Sequence, residues 1–307
     1  MRKRAFAFAF VSSALAALIA VTAGCAVEET PRRPDAASAG IRPLTDVEQL
    51  RISDAQQRLI RDCMTRQGFE FREAERLSLE ESRTLGYVQD DIDWARKHGY
   101  GSRIQAKEDR ARRANPNLAY RASLTPQRRA AYDKALDGGL EAPMISADLP
   151  GGGTIRKKVG GCAAESERRL YGDLEAWFRA DKVAANLRPL YVPQVLRDKK
   201  FKAALKAWAQ CMKRAGHSYA DPPAARRAAA LLPTAGTSPD EAFETERELA
   251  TDDATCARAT SLKAVGAERE RFYVDRLRDR YGEALDTSRR IQHEAFARAA
   301  KLVGPRA

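Results

Sequence analysis

The chain predicts a mainly α fold: a helical body with one short β-hairpin, two halves that echo each other, and a long C-terminal helix. Three observations carry this. Apolar residues recur at three- and four-residue steps, as in Leu59, Ile60, Cys63 and Met64, and again in Phe201, Leu205, Trp208, Cys211 and Met212. A nine-residue motif occurs twice: Cys63-Met64-Thr65-Arg66-Gln67-Gly68-Phe69-Glu70-Phe71 matches Cys211-Met212-Lys213-Arg214-Ala215-Gly216-His217-Ser218-Tyr219. Its shared pattern is C-M-x-R-x-G-x-x-aromatic. Strand-like runs occur at 144–149 and 154–159, around Pro150-Gly151-Gly152-Gly153, which predicts the hairpin.

The elements follow in order. Thr45-Asp46-Val47-Glu48 is a capping box, with Thr45 as N-cap and Glu48 reaching back to it. The helix it opens runs to Gln67 and stops at Gly68, which suits a left-handed residue after a helix end. Residues 72–116 are charged and interrupted by Gly86, Gly99, Gly101 and Pro116, so one short helix near 89–98 is expected among loops. Gly99-Tyr100-Gly101 and Asn115-Pro116-Asn117 read as turns. Thr125 and Pro126 open a further helix that ends at Gly138-Gly139. After the hairpin, one helix is expected from Cys162 through Leu170, Leu174, Trp177 and Phe178 to Ala185.

Pro189 and Pro193 mark a boundary between a first half, 44–190, and a second half, 191–307. In the second half the motif helix ends at Gly216. Pro222-Pro223 and the Ala-rich stretch to Thr237 read as a linker or loose helix. Ser238-Pro239-Asp240-Glu241 is another capping signature, and its helix carries Cys256. A last helix over 264–302 would span about 60 Å at 1.5 Å per residue. Its stripe Val274, Leu277, Tyr281, Ala284, Ser288, Ile291 and Ala295 is heptad-like. Packing on the chain's own helices is expected, giving a monomer; dimerisation through this helix is the sharper alternative.

The N-terminus sets an expected compartment. Arg2, Lys3 and Arg4 precede an uncharged apolar stretch that ends in Thr22-Ala23-Gly24-Cys25, the layout of an export signal. The Ala-Gly-Cys ending resembles a bacterial lipobox, with Thr22 in place of the usual leucine. That resemblance implies cleavage of the 1–24 signal peptide and diacylglycerol on the Cys25 thiol. An uncleaved membrane helix and a plainly secreted protein are the alternatives. Residues 25–43 then form a flexible tether, with Glu28-Glu29-Thr30-Pro31, Pro34 and a run of small residues.

Composition bounds the function. The 307 residues are 44% hydrophobic and 31% charged, with 14 Pro and 19 Gly, which excludes collagen-like and wholly disordered classes. The formal charge is +12, and loss of the three basic leader residues leaves +9. Such a chain outside the cell meets anionic headgroups and wall polymers rather than nucleic acid. Arg outnumbers Lys by 40 to 14, which fits G/C-rich codon usage as well as it fits a partner.

Beyond Cys25 there are four cysteines: Cys63, Cys162, Cys211 and Cys256. An even number in an exported chain favours two disulfides, with three connectivities open. The motif repeats at Cys63 and Cys211, and Cys162 and Cys256 share a weaker pattern, so the order favours Cys63–Cys162 and Cys211–Cys256. No C-x-x-C zinc signature is present, and no metal or cofactor is expected. His98, His217 and His293 fit no metal or protease spacing. With the cysteines assigned to disulfides, a cysteine hydrolase lacks its thiolate. No G-x-S-x-G or phosphate loop occurs. Asp90-Asp91-Asp93 and Asp252-Asp253 are read as solvated surface acids. A two-lobed solute-binding fold would need repeated buried strands that the sequence does not contain.

These features in series resemble a group of exported lipoproteins of streptomycete-type actinobacteria: the lipobox, Cys-Met-x-x-x-Gly-aromatic, Gly99-Tyr100-Gly101, Asn115-Pro116-Asn117, Tyr132-x-x-Ala135-Leu136-x-Gly138, Gly161-Cys162, the second Cys-Met copy and Asp253-x-x-Cys256. The resemblance implies a lipid-anchored protein on the outer face of a Gram-positive cell membrane, and it carries over no catalytic residue. The expected function is non-catalytic binding or interaction at the envelope. A wall-acting enzyme, or an accessory subunit of an envelope transporter or exporter, is the alternative. A partly buried acid pair or a histidine in a deep pocket would favour the enzyme; an apolar groove would favour binding.

Overall fold

A computed structural model of the chain describes residues 41–232 and 237–304. Cys25, the leader and residues up to 40 of the tether lie outside the described residues. Among the described residues the fold is mainly α with a single two-stranded antiparallel hairpin. From Ile41 on the chain is one compact unit.

Helix α1 (Asp46–Arg66) starts with the expected box: Glu48 N donates to Thr45 Oγ1 at 3.3 Å, and Thr45 N to Glu48 Oε2 at 2.8 Å. α2 (Ile92–His98) is the expected short helix, capped by Asp91. Two helices, α3 (Ser102–Arg113) and α4 (Pro116–Ser123), replace expected loops. Asn115 caps α4 with Pro116 at its first position, a combination that serves a helix start as well as a turn. Neither helix contributes a buried residue, so apolar periodicity gave no signal there.

α5 (Pro126–Asp137) and the hairpin follow as expected. Strands β1 (Met144–Asp148) and β2 (Thr154–Lys158) pair with Met144 opposite Lys158 and Asp148 opposite Thr154. The helix expected over 162–185 is two helices, α6 (Gly161–Tyr171) and α7 (Leu174–Ala185). Gly172 ends the first, and Asp173 caps the second by accepting from Glu175 N and Ala176 N.

Pro189 and Pro193 lie within α8 (Arg188–Arg197), not in a linker. Pro189 sits in the first turn, where its missing N–H has no partner to lose. Val195 and Tyr191 of this helix are buried in the second core. α9 (Lys199–Arg214), α10 (Pro222–Leu231) and α11 (Pro239–Ala259) carry most of that core, to which Leu262 and Leu285 add. The expected last helix is broken by a 3₁₀-type turn, with Leu277 N bonded to Val274 O at 2.9 Å. It becomes α12 (Leu262–Asp275) and α13 (Arg278–Leu302), the latter 25 residues and about 37 Å long.

α13 packs on α1, α6 and α7, burying Ser288, Ile291, Ala295 and Ala299 against the first half of the sequence. That part of the heptad-like stripe is covered by the chain's own helices. Leu44, Ile52, Leu59 and Leu170 share a core with Ala295, Ala299 and Val303. Conversely, Val88 enters the second core, beside Tyr191, Phe201, Trp208, Met212 and Leu249. The two sequence halves therefore interlock.

The repeated motif is a repeated helix end. Gly68 and Gly216 have φ of +74° and +91°, and the next amide bonds back five residues: Phe69 N to Met64 O at 3.0 Å, His217 N to Met212 O at 2.8 Å. Each Met is buried beneath its turn. Each preceding cysteine forms a disulfide, Cys63 with Cys162 and Cys211 with Cys256, both with Cα atoms 5.6 Å apart. The partners differ: Cys162 opens α6, whereas Cys256 lies near the end of α11.

Candidate functional site

An apolar groove of about 260 Å³ lies between α8, α9, α12 and the segment before α2. Phe201 of α9 forms part of its lining and is 2% exposed. Tyr87 meets the Phe201 ring edge-on, with centroids 5.8 Å apart. Val88, Tyr191 and Val195 supply more apolar lining, and Leu196 is partly exposed there. Arg188, Lys263 and Glu270 are its charged residues. Lys263 Nζ pairs with Asp90 Oδ1 at 2.6 Å, and Tyr191 Oη donates to Glu270 Oε1 at 2.5 Å. Burial, and then the Glu270 carboxylate, raise the Tyr191 hydroxyl well above the ordinary phenol range. Burial pushes the Tyr87 hydroxyl up to about 12. Both hydroxyls are thus protonated at neutral pH, which suits hydrogen-bond donors and not general bases.

The two buried acids of α11 are engaged away from the groove. Glu246 and Asp253 lie two turns apart on one face of α11, and both are buried. Glu246 accepts from Tyr100 N at 2.7 Å and Ser102 N at 3.2 Å. Gly101, the N-cap of α3, has no side chain to cap with, so Glu246 provides the missing acceptor from another helix. A Cβ at residue 99 would stand 2.8 Å from Glu246 Oε1, which accounts for the glycine there. Ala95 of α2 and Ala250 and Ala254 of α11, all fully buried, bring the two helices together.

Asp253 is a correction to the sequence reading, which placed it on the solvated surface. It is fully buried, accepting from Tyr100 Oη at 3.0 Å and from Trp208 Nε1 at 2.9 Å. Burial raises its carboxyl to about 6, against the opposing pull of the two hydrogen bonds. The signal for this was in the sequence: Glu246, Leu249, Ala250, Asp253, Ala254 and Ala257 follow three- and four-residue steps. Asp252, one residue earlier, does face outward and bonds His217 Nε2 at 3.0 Å. Asp90, Asp91 and Asp93 hold three different cations, Lys263, Arg83 and Arg96.

The histidines do not converge. His98 bonds Glu80, His217 bonds Asp252, and His293 bonds the Arg42 carbonyl. Among the described residues, no group of three or more His, Cys, Asp and Glu could hold a metal ion, and no helix is long and apolar enough to cross a membrane. The cysteines are legible in the sequence and the groove is not, because its lining comes from four separate segments. No protein-family model, curated protein or solved structure matches this chain.

Proposed function

We propose that the chain is an extracytoplasmic lipoprotein, anchored by diacylglycerol on Cys25, whose helical body binds a ligand or partner at the cell envelope without catalysis. The observation that carries the binding role is the apolar groove between α8, α9 and α12. Its two hydroxyls are held protonated, and the buried acids Glu246 and Asp253 are occupied by structural hydrogen bonds. Supporting the anchor are the lipobox-like Ala23-Gly24-Cys25 and the two disulfides, which belong to oxidising compartments.

The test is growth with labelled palmitate, followed by membrane fractionation and pull-down of the wild type and Cys25→Ser. The wild type is expected to carry label and sediment with membranes. Cys25→Ser is expected to lose both while keeping the same partners. A Cys25→Ser protein that stays in the membrane overturns the anchor. Wall-polymer hydrolysis that is abolished in Glu270→Gln overturns the non-catalytic role.

A further inference from the structure

Gly266 is a glycine that the fold does not require. It lies inside α12, where glycine costs about 1 kcal/mol relative to alanine. Its φ is not in the left-handed region. A Cβ there would meet only the Phe201 ring, at 3.5 Å, an ordinary van der Waals contact. Neither backbone conformation nor close approach therefore accounts for it. What the missing side chain does is leave the groove open, since Gly266 and Phe201 both line it.

The charge at the groove points to one kind of occupant. Lys263 is held by Asp90, and Glu270 receives the Tyr191 hydroxyl. Arg188 is exposed and makes no hydrogen bond or ion pair among the described residues. Its guanidinium is the charged group there left to receive a ligand, and it matches a carboxylate in two-pronged geometry. The groove volume of about 260 Å³ accommodates a short apolar body.

We infer that this groove is a binding site for a small organic acid with a short hydrocarbon or aromatic body, its apolar part against Phe201 and Tyr87 and its carboxylate on Arg188. This deepens the binding role proposed above and rests on it, but does not depend on the anchor at Cys25.

The probe is octanoate, titrated calorimetrically into the full chain carrying Cys25→Ser, from whichever fraction holds it, with octanol and octylammonium as comparison ligands. Octanoate is expected to bind, octanol at least tenfold more weakly, and octylammonium not at all. Arg188→Gln is expected to bring octanoate down to the level of octanol. Gly266→Ala is expected to weaken octanoate at least fivefold while raising the melting temperature, a split that a purely structural glycine would not give. Equal binding of the three ligands overturns the assignment of Arg188. Undiminished binding in Gly266→Ala overturns the groove as the site. Absence of octanoate binding, or binding only to anionic phospholipid vesicles, overturns the ligand class, while a palmitate-labelled Cys25 would leave the anchor standing.

Discussion

Trp208 Nε1 donates to Asp253 Oδ1 at 2.9 Å, and both side chains are fully buried. The pair joins α9 to α11 close to the Cys211–Cys256 bridge that links the same two helices. Tyr100 Oη adds α2's following turn to the same carboxylate. A polar knot at this place makes the packing directional as well as apolar.

Its titration gives the first prediction. Burial raises the Asp253 carboxyl in the folded chain from 3.8 to about 6. The native state therefore holds its proton more tightly than the unfolded state, and its stabilising effect is full below about pH 4. It declines as pH rises to about 6 and is absent above that. The difference is of the order of 3 kcal/mol at 1.4 kcal/mol per pH unit. Denaturant unfolding of the wild type and Asp253→Asn between pH 4 and 8 should show the wild-type excess shrinking up to about pH 6 and level beyond. Parallel curves throughout would contradict it.

Asp253→Ala at neutral pH should cost about 3 kcal/mol, because it leaves the buried Trp208 N–H without an acceptor. Asp253→Asn retains an acceptor oxygen and should cost less. Chemical denaturation of both variants measures the order.

The staples should each contribute about 4–5 kcal/mol in the loop-entropy description, with sequence separations of 99 and 45 residues. The paired substitutions Cys63→Ala with Cys162→Ala, and Cys211→Ala with Cys256→Ala, should lower unfolding free energy by similar amounts. A non-reduced peptide map checks the pairing itself: a peptide joining Cys63 to Cys211 would exclude it.

Glu246 is the cap that α3 lacks. Glu246→Ala should raise amide exchange across 102–113, where the helix buries no residue of its own. The central turns of α11, held by Leu249, Ala250 and Ala254, should keep their protection. Uniform loss over both helices would show that Glu246 acts on global stability instead.

Ala295 is fully buried where α13 meets the N-terminal core. Ala295→Leu should overpack that contact and cost about 1–3 kcal/mol in a concentration-independent way. Loss that depends on protein concentration, seen by sedimentation, would mean that α13 joins two copies.

Much of this fold was written locally. The boxes at Thr45 and Ser238, the Thr125-Pro126 start and the Gly-rich hairpin turn each combine a cap or turn residue with the pattern that follows it. The Met-Gly-aromatic motif announced a helix end because both its glycine and its buried methionine act within six residues. What was missed depends on distance. α3 takes its cap from a helix more than 140 residues away, and α8 keeps Pro193 because its other face is buried in the second core. The groove was illegible for the same reason: Val88, Tyr191, Phe201 and Gly266 come together only when four segments dock.

The ends of the described chain meet. Arg51 Nε donates to Val303 O across 252 positions at 3.1 Å, and His293 Nε2 lies 2.8 Å from Arg42 O. The first core thus takes one wall from α13. Leu44, Ile52 and Leu59 share that core with Leu170 of α6 and with Ala295, Ala299 and Val303, so α6 alone does not complete it. The second core also reaches across the sequence, from Val88 to Leu285 of α13. Both cores therefore depend on α13, and neither half is expected to complete its packing without it.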